Sequence, residues 1–259
     1  MHRMRRTCIL GWGIGMFTLN VLRNNNLAIS SAERDVLEKS IERTRTLRSG
    51  QLAVRQGVEV EVSLLLVDGL MTRHIDTPDG QRHLVGLHVP GDFVDLHAYV
   101  LKKLDHDVAA LTEVRVAVFP HETLEAIQAS NVRLTRRLWF VTLLDAARER
   151  QWIYRLASLN ASQRVAHFLC EMNARLLTIN ASDGHIYMLP MTQNEIGEVC
   201  SLTNVHVSRV LRQLRESNLC NVRGSRVQIL DLGALVSYAS FDPAYLFLNA
   251  ETAARAVAT

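Results

Sequence analysis

Cysteine is scarce in this 259-residue chain, and its four residues (Cys8, Cys170, Cys200, Cys220) are scattered without a C-x-x-C pair. That spacing excludes the usual zinc and iron–sulfur frameworks. Cys170, Cys200 and Cys220 sit in apolar patterns, as the reduced core thiols of a cytoplasmic protein do. Catalytic signatures are missing too: there is no P-loop, no G-x-S-x-G, no H-E-x-x-H and no Rossmann fingerprint, so the chain reads as a non-enzyme. The formal net charge of +3 is too small to name a partner by itself. No internal repeat occurs, and the one biased segment is an Ala-rich stretch after Asn249. The longest apolar run, Cys8 to Leu22 behind MHRMRR, is short for a membrane span, holds three glycines and precedes no A-x-A cleavage site. Residues 1–26 therefore read as a leader from an over-extended start, with Met16 an alternative initiator, and no membrane role is expected.

What is present falls into segments of different period. Ser30-Ser31-Ala32-Glu33 opens a helical pattern with Val36, Leu37 and Ile41 on one side. From about Leu52 the period becomes two: Val58, Val60, Val62 and Leu64 alternate with Glu59, Glu61 and Ser63, and strand-like runs follow at 83–89 and 113–119. Asp68-Gly69, Pro78-Asp79-Gly80 and Pro90-Gly91-Asp92 punctuate them as turns. An antiparallel sandwich or roll over roughly 50–120 is expected. Beyond Pro120 one long helix is expected over 130–156, with Leu134, Leu138 and Val141 on a stripe, although Asp145 and Arg148 spoil a clean heptad. A second helix over 162–177 carries Val165, Phe168, Leu169, Met172 and Leu176 on one face.

The stretch MTQNEIGEVCSLTNVHVSRVL, residues 191–211, is the most informative. Thr192 and Glu195 form a capping box for a short helix with Ile196, Val199 and Cys200 inward. Thr203 caps a second helix, 203–216, whose inner face is Val207, Val210, Leu211 and Leu214. Two short helices joined by about three residues must cross steeply, and Gly197 is the small residue at their approach. Ser201 stands where many such turns carry glycine. The outer strip, Asn204, Val205, Ser208 and Arg209, is suited to base edges: Arg for guanine, Asn for adenine, an apolar contact for a thymine methyl. Downstream, Cys220 to Ile229 reads as a wing about an R-G-S-R tip. Between 203 and 226 five arginines (209, 212, 215, 223, 226) face one acid, Glu216, an excess that suits phosphates. Thr192, Gln193, Thr203, His206, Arg212, Arg223 and Arg226 are the candidate phosphate contacts.

This order of segments resembles the Crp/Fnr family of bacterial transcription regulators, over roughly residues 30–235. The pieces that carry the resemblance are Val67-Asp68-Gly69, Pro90-Gly91-Asp92-Phe93, Ala110 to Val116 and 192–219. It implies an α+β chain: a β-roll sensor domain like a cyclic-nucleotide-binding domain over 27–123, a dimerisation helix over 124–157, a winged helix-turn-helix over 158–250, and a tail over 251–259. It also implies a homodimer on a near-palindromic site in double-stranded promoter DNA, with RNA polymerase as partner if the protein activates.

The sensor segment departs from that family. Where cyclic-nucleotide binders place Gly-Glu and later Arg-Ser, this chain reads Phe93-Val94-Asp95-Leu96-His97 and Leu104-Asp105-His106-Asp107. The phosphate-gripping arginine is absent there and acids stand nearby, which repel a phosphate diester. The iron–sulfur sensors of the family use clustered N-terminal cysteines, which this chain does not have. Asp95, His97, Asp105 and His106 are the candidate effector-pocket residues. Six of ten histidines (74, 83, 88, 97, 106, 121) fall in this region and with Asp95, Asp105 and Asp107 suit a metal, haem or pH response, so a cyclic-nucleotide- or metal/haem-responsive sensor whose effector controls DNA binding is the alternative reading. No cofactor or metal is assigned from the sequence.

Overall fold

The structure is a computed structural model that describes residues 29–257. The leader lies outside the described residues. Two compact units follow one another, divided after Asp145, and each is described by itself.

The first unit opens with helix α1 (Ser31–Lys39), capped by Ser30, whose hydroxyl accepts from the Glu33 N–H while the Glu33 carboxylate accepts from the Ser30 N–H. Such a cap stabilises a helix by about 1 kcal/mol. Seven strands follow: β1 (Arg43–Leu47), β2 (Leu52–Val54), β3 (Val62–Asp68), β4 (Met71–Asp76), β5 (Arg82–His88), β6 (Asp107–Ala110) and β7 (Val114–Pro120), with a single helical turn α2 (Ala98–Leu101) before β6. They pair antiparallel in two sheets of order β1-β7-β3 and β2-β6-β4-β5. The alternation expected from Val58 does not form a strand: Val58 is exposed, and pairing starts only at Val62. Strand β3 is then buried on both faces. Leu64 and Leu66 face a core with Val108, Val116 and Val118, while Leu65 and Val67 face a second core with Leu37, Phe93 and Leu124. A sheet covered on both sides favours a continuous apolar run over alternation.

Gly69 closes the β3–β4 turn at φ +87°, where an added Cβ would stand 2.4 Å from the Glu113 carbonyl. Only glycine fits that backbone approach.

Helices α3 (His121–Ser130) and α4 (Val132–Ser158) replace the single helix expected from 124. Asn131 breaks the chain at φ −136°, ψ 83°, and its Oδ1 accepts from the Leu134 N–H, starting α4 afresh. The stripe expected to meet a partner points inward. Leu134 is fully buried in the second core, and Leu138 and Val141 pack against that core. The reason is local: the apolar stripe is the part of α4 that covers the outer face of β3 and β7.

The second unit is organised around α5 (Ala161–Leu177), capped by Asn160 and Gln163 and buried continuously from Val165 to Leu177. Strand β8 (Ile186–Met188) joins β9 (Cys220–Arg223) and β10 (Arg226–Ile229) in the order β8-β10-β9. Between them lie α6 (Gln193–Cys200) and α7 (Asn204–Glu216). The chain then continues as α8 (Leu232–Ala239), a 3-10 turn (Pro243–Leu246) and α9 (Ala250–Val257). The segment read as a tail is thus helical through Val257: α9 buries Thr252 and Ala256 and packs on α5. Inside, Glu171 accepts from Arg155 (3.4 Å), Arg175 (3.3 Å) and the Tyr245 hydroxyl (2.8 Å). The Arg155 guanidinium also lies over the Trp152 ring at 4.9 Å.

Candidate nucleic-acid interface

Three short-range devices position the interface in the second unit. Thr192 starts α6: its hydroxyl accepts from the Glu195 N–H, and the Glu195 carboxylate accepts from the Thr192 N–H. Gly197 then meets the incoming chain. A Cβ there would stand 2.4 Å from the Leu202 carbonyl, and the Leu202 N–H donates to the Gly197 carbonyl at 2.8 Å. Ser201 ends α6 in the left-handed region at φ 51°. That conformation costs a side-chain-bearing residue about 1 kcal/mol relative to glycine.

Helix α7 follows, with Thr203 accepting from the His206 N–H at 3.3 Å and its hydroxyl 3.2 Å from His206 Nδ1. Val207, Val210, Leu211 and Leu214 are buried on its inner face. On the outer face Asn204, Val205 and Arg209 are exposed and Ser208 half-buried, and Val205 keeps 70% of its surface open. Together with Gln193 and Arg212 these four residues line a shallow concave surface of about 470 Å³. At the β9–β10 tip, Arg223 and Arg226 are exposed on either side of Gly224 and Ser225.

The candidate effector residues lie in the first unit and are only partly gathered. His97 and His106 stack at 5.5 Å between ring centroids, and His106 Nδ1 is 2.7 Å from the exposed Asp105. Asp95 is turned away from them into the backbone, accepting from the Leu64 N–H at 2.6 Å. Burial pushes its carboxyl up to about 7, partly opposed by the Leu64 N–H and Arg73. Burial, with Arg73 and His106, pulls His97 down to about 4.

Arg73 was missed by sequence reasoning. It is buried on β4, donates to the Val94 carbonyl through Nε (3.0 Å) and Nη2 (2.8 Å), and pairs with Asp145 at 2.5 Å. No local pattern marks it, since its partner Asp145 lies 72 residues away. Leu96 lines an apolar cavity of about 560 Å³ with His97, Tyr99, Leu124, Leu138 and Trp139. Leu104 is buried in the core between the sheets. Cys170, Cys200 and Cys220 are buried free thiols, each pushed up by burial. Among the described residues no helix is long and apolar enough to cross a membrane.

Residues 44–131 match the family model for the cyclic nucleotide-binding domain, and residues 163–238 match that for the Crp-like helix-turn-helix domain. Among curated proteins, the chain is similar to the transcriptional activator protein FnrA of Stutzerimonas stutzeri, 26% identical over 205 residues, covering 79% of this chain and 84% of that one. It is likewise similar to the fumarate and nitrate reduction regulatory protein of Vibrio cholerae, 25% identical over 82% of this chain and 84% of that one. Among solved structures, FixK2 from Bradyrhizobium japonicum superposes with a TM-score of 0.69 at 25% identity, covering 76% of this chain and 96% of that chain. Both domain types occur here in the order those regulators share, and the chain accordingly belongs to the Crp/Fnr family of DNA-binding transcription regulators.

Proposed function

We propose that this regulator binds a near-palindromic promoter site as a homodimer, with α7 in the major groove. Asn204, Val205, Ser208 and Arg209 read base edges in this reading. Thr192, Gln193, Thr203, His206, Arg212, Arg223 and Arg226 hold phosphates. The observation that carries the reading is the concave surface lined by Gln193, Asn204, Val205, Ser208, Arg209 and Arg212 on two helices that are each capped by a threonine at the start. Such a surface fits the shape and chemistry of a groove edge.

The dimer contact falls to the outward side of α4. Val132, Trp139, Ala146 and Ile153 recur every seven residues, with Leu143 four after Trp139. Val132, Trp139, Leu143 and Ile153 are all more than half exposed. A seven-residue apolar repeat on one helix suits a two-stranded coiled contact. The protein acts in the cytoplasm, where promoter DNA is found, and contacts RNA polymerase if it activates as its named relatives do. The sensor works without cyclic AMP or cyclic GMP, because its cavity is apolar where a cyclic phosphate needs a paired donor and Arg73 already serves Asp145.

Footprinting on mapped genomic sites tests the DNA reading. Arg209→Ala is expected to cost about 1–3 kcal/mol and to relax preference at one base position. Arg223→Ala or Arg226→Ala is expected to weaken all sequences alike and to flatten the salt dependence. Unchanged affinity and preference in Arg209→Ala would overturn the placement of α7.

A further inference from the structure

We propose that His74, Asp76 and Asp107 form a binding site for one divalent cation of the zinc class, at the end of the β4–β6 ladder in the sensor unit. Neither the DNA-reading surface nor the apolar cavity enters this site. Asp107 is the direct cross-strand partner of His74, and Asp76 lies two residues further along β4. Residues opposite and two apart share one face of a sheet, so all three side chains project together.

The distances separate coordination from hydrogen bonding. His74 Nε2 stands 3.6 Å from Asp107 Oδ2 and 4.0 Å from Asp76 Oδ1. Both are too long for a hydrogen bond. They are close to the spacing of ligands around one ion: with metal–ligand bonds of roughly 2.0–2.2 Å, the edges of a tetrahedron are roughly 3.3–3.6 Å. One ligand atom from each residue lies within 4.8 Å of the others.

The histidine supplies a second, independent observation. Its side chain is fully buried, yet neither Nδ1 nor Nε2 has a hydrogen-bond partner. A buried polar atom left without a partner is costly, and a cation between Nε2 and the two carboxylates removes that cost. Asp107 keeps its place because its other oxygen, Oδ1, accepts from the Gln56 N–H at 2.6 Å. Asp76 faces Arg82 at 3.4 Å, and both are about half exposed, so the arginine can swing aside when a cation enters. One imidazole and two carboxylates match zinc-class ions, with a fourth position open to water on the Asp76 side.

The test uses the purified full-length protein, stripped with chelator and desalted, then titrated with zinc chloride in a calorimeter. One equivalent is expected to bind with a dissociation constant tighter than about 10 micromolar. Asp76→Asn is expected to weaken binding at least about tenfold. It removes only an exposed ion pair, so folding is preserved. Asp107→Asn is expected to do the same, and His185→Gln, an exposed histidine elsewhere, to bind as the wild type does. Cobalt chloride supplies a second readout, a visible absorption band of low-symmetry coordination that Asp76→Asn abolishes. Absence of saturable one-to-one binding, or binding of equal strength in Asp76→Asn, would overturn the site.

Discussion

In the second unit the buried Glu171 carboxylate accepts from Arg155, Arg175 and Tyr245, whereas in the first unit the buried Asp95 has one oxygen on the Leu64 N–H and the other without a partner. The two acids are equally enclosed and titrate in opposite directions. Burial raises both, but at Glu171 the two arginines outweigh it and hold the carboxyl below its usual range, while at Asp95 burial wins and the carboxyl rises to about 7. A buried acid can be stabilised by gathering cations or by keeping its proton. The second unit takes the first course, and the first unit takes the second.

Removing the gathered acid should break this comparison most strongly. Glu171→Ala leaves Arg155 and Arg175, both almost fully buried, without their shared carboxylate. A loss of about 3–5 kcal/mol is expected, read as a lower urea midpoint with unchanged slope. A midpoint within error of wild type would mean the network is not what fixes this unit.

A smaller effect is expected where the same unit has no spare room. Gly197→Ala puts a Cβ 2.4 Å from the Leu202 carbonyl, which must move. Overpacking of this kind costs about 1–3 kcal/mol. Because Leu202 leads directly into Thr203, DNA affinity should fall along with thermal stability. Ser201→Gly runs the other way. With φ at 51°, relief of the left-handed strain should add about 1 kcal/mol to unfolding free energy, without loss of DNA affinity.

A further effect sharpens the comparison on the side of the first unit and is read against pH. Asp95 folds with a value of about 7 against an ordinary 3.8, so it contributes stability that is lost as pH rises through that window. His97 folds at about 4 against 6.5, so its contribution is lost as pH falls from 6.5 to 4. The two slopes oppose one another in wild type. Asp95→Asn removes the first and should be more stable than wild type above pH 7, with a steeper loss on acidification. Parallel urea titrations across the window would show it, and an unchanged slope would refute the raised Asp95 carboxyl.

Much of the DNA-binding unit was legible because its information is local. Thr192 with Glu195, Thr203 and Gly197 each act within five residues, and each stands where the residue pattern put it. The sensor was legible as a roll but not in its interior. The even alternation after Val58 did not predict that β3 is covered on both faces, because that depends on α1, α3 and α4 arriving from elsewhere in the chain. For the same reason the stripe of Leu134, Leu138 and Val141 did not reveal that Leu134 is core and that Leu138 and Val141 pack against it. Arg73 escaped because its partner Asp145 is 72 residues away, and no spacing rule links them. The terminal helix escaped because an Ala-rich composition is compatible with both a tail and a docked helix.

One consequence concerns where this gene tolerates interruption. The Tyr245 hydroxyl reaches back to Glu171, and Ala256 is fully enclosed. A premature stop between residues 240 and 245 therefore leaves α7 and the β9–β10 hairpin encoded, yet removes a donor from the carboxylate that binds α5 together, and one between 246 and 256 removes the enclosed end of α9. Such alleles should behave as losses of the whole protein, cleared by proteases, and not as shortened but working regulators.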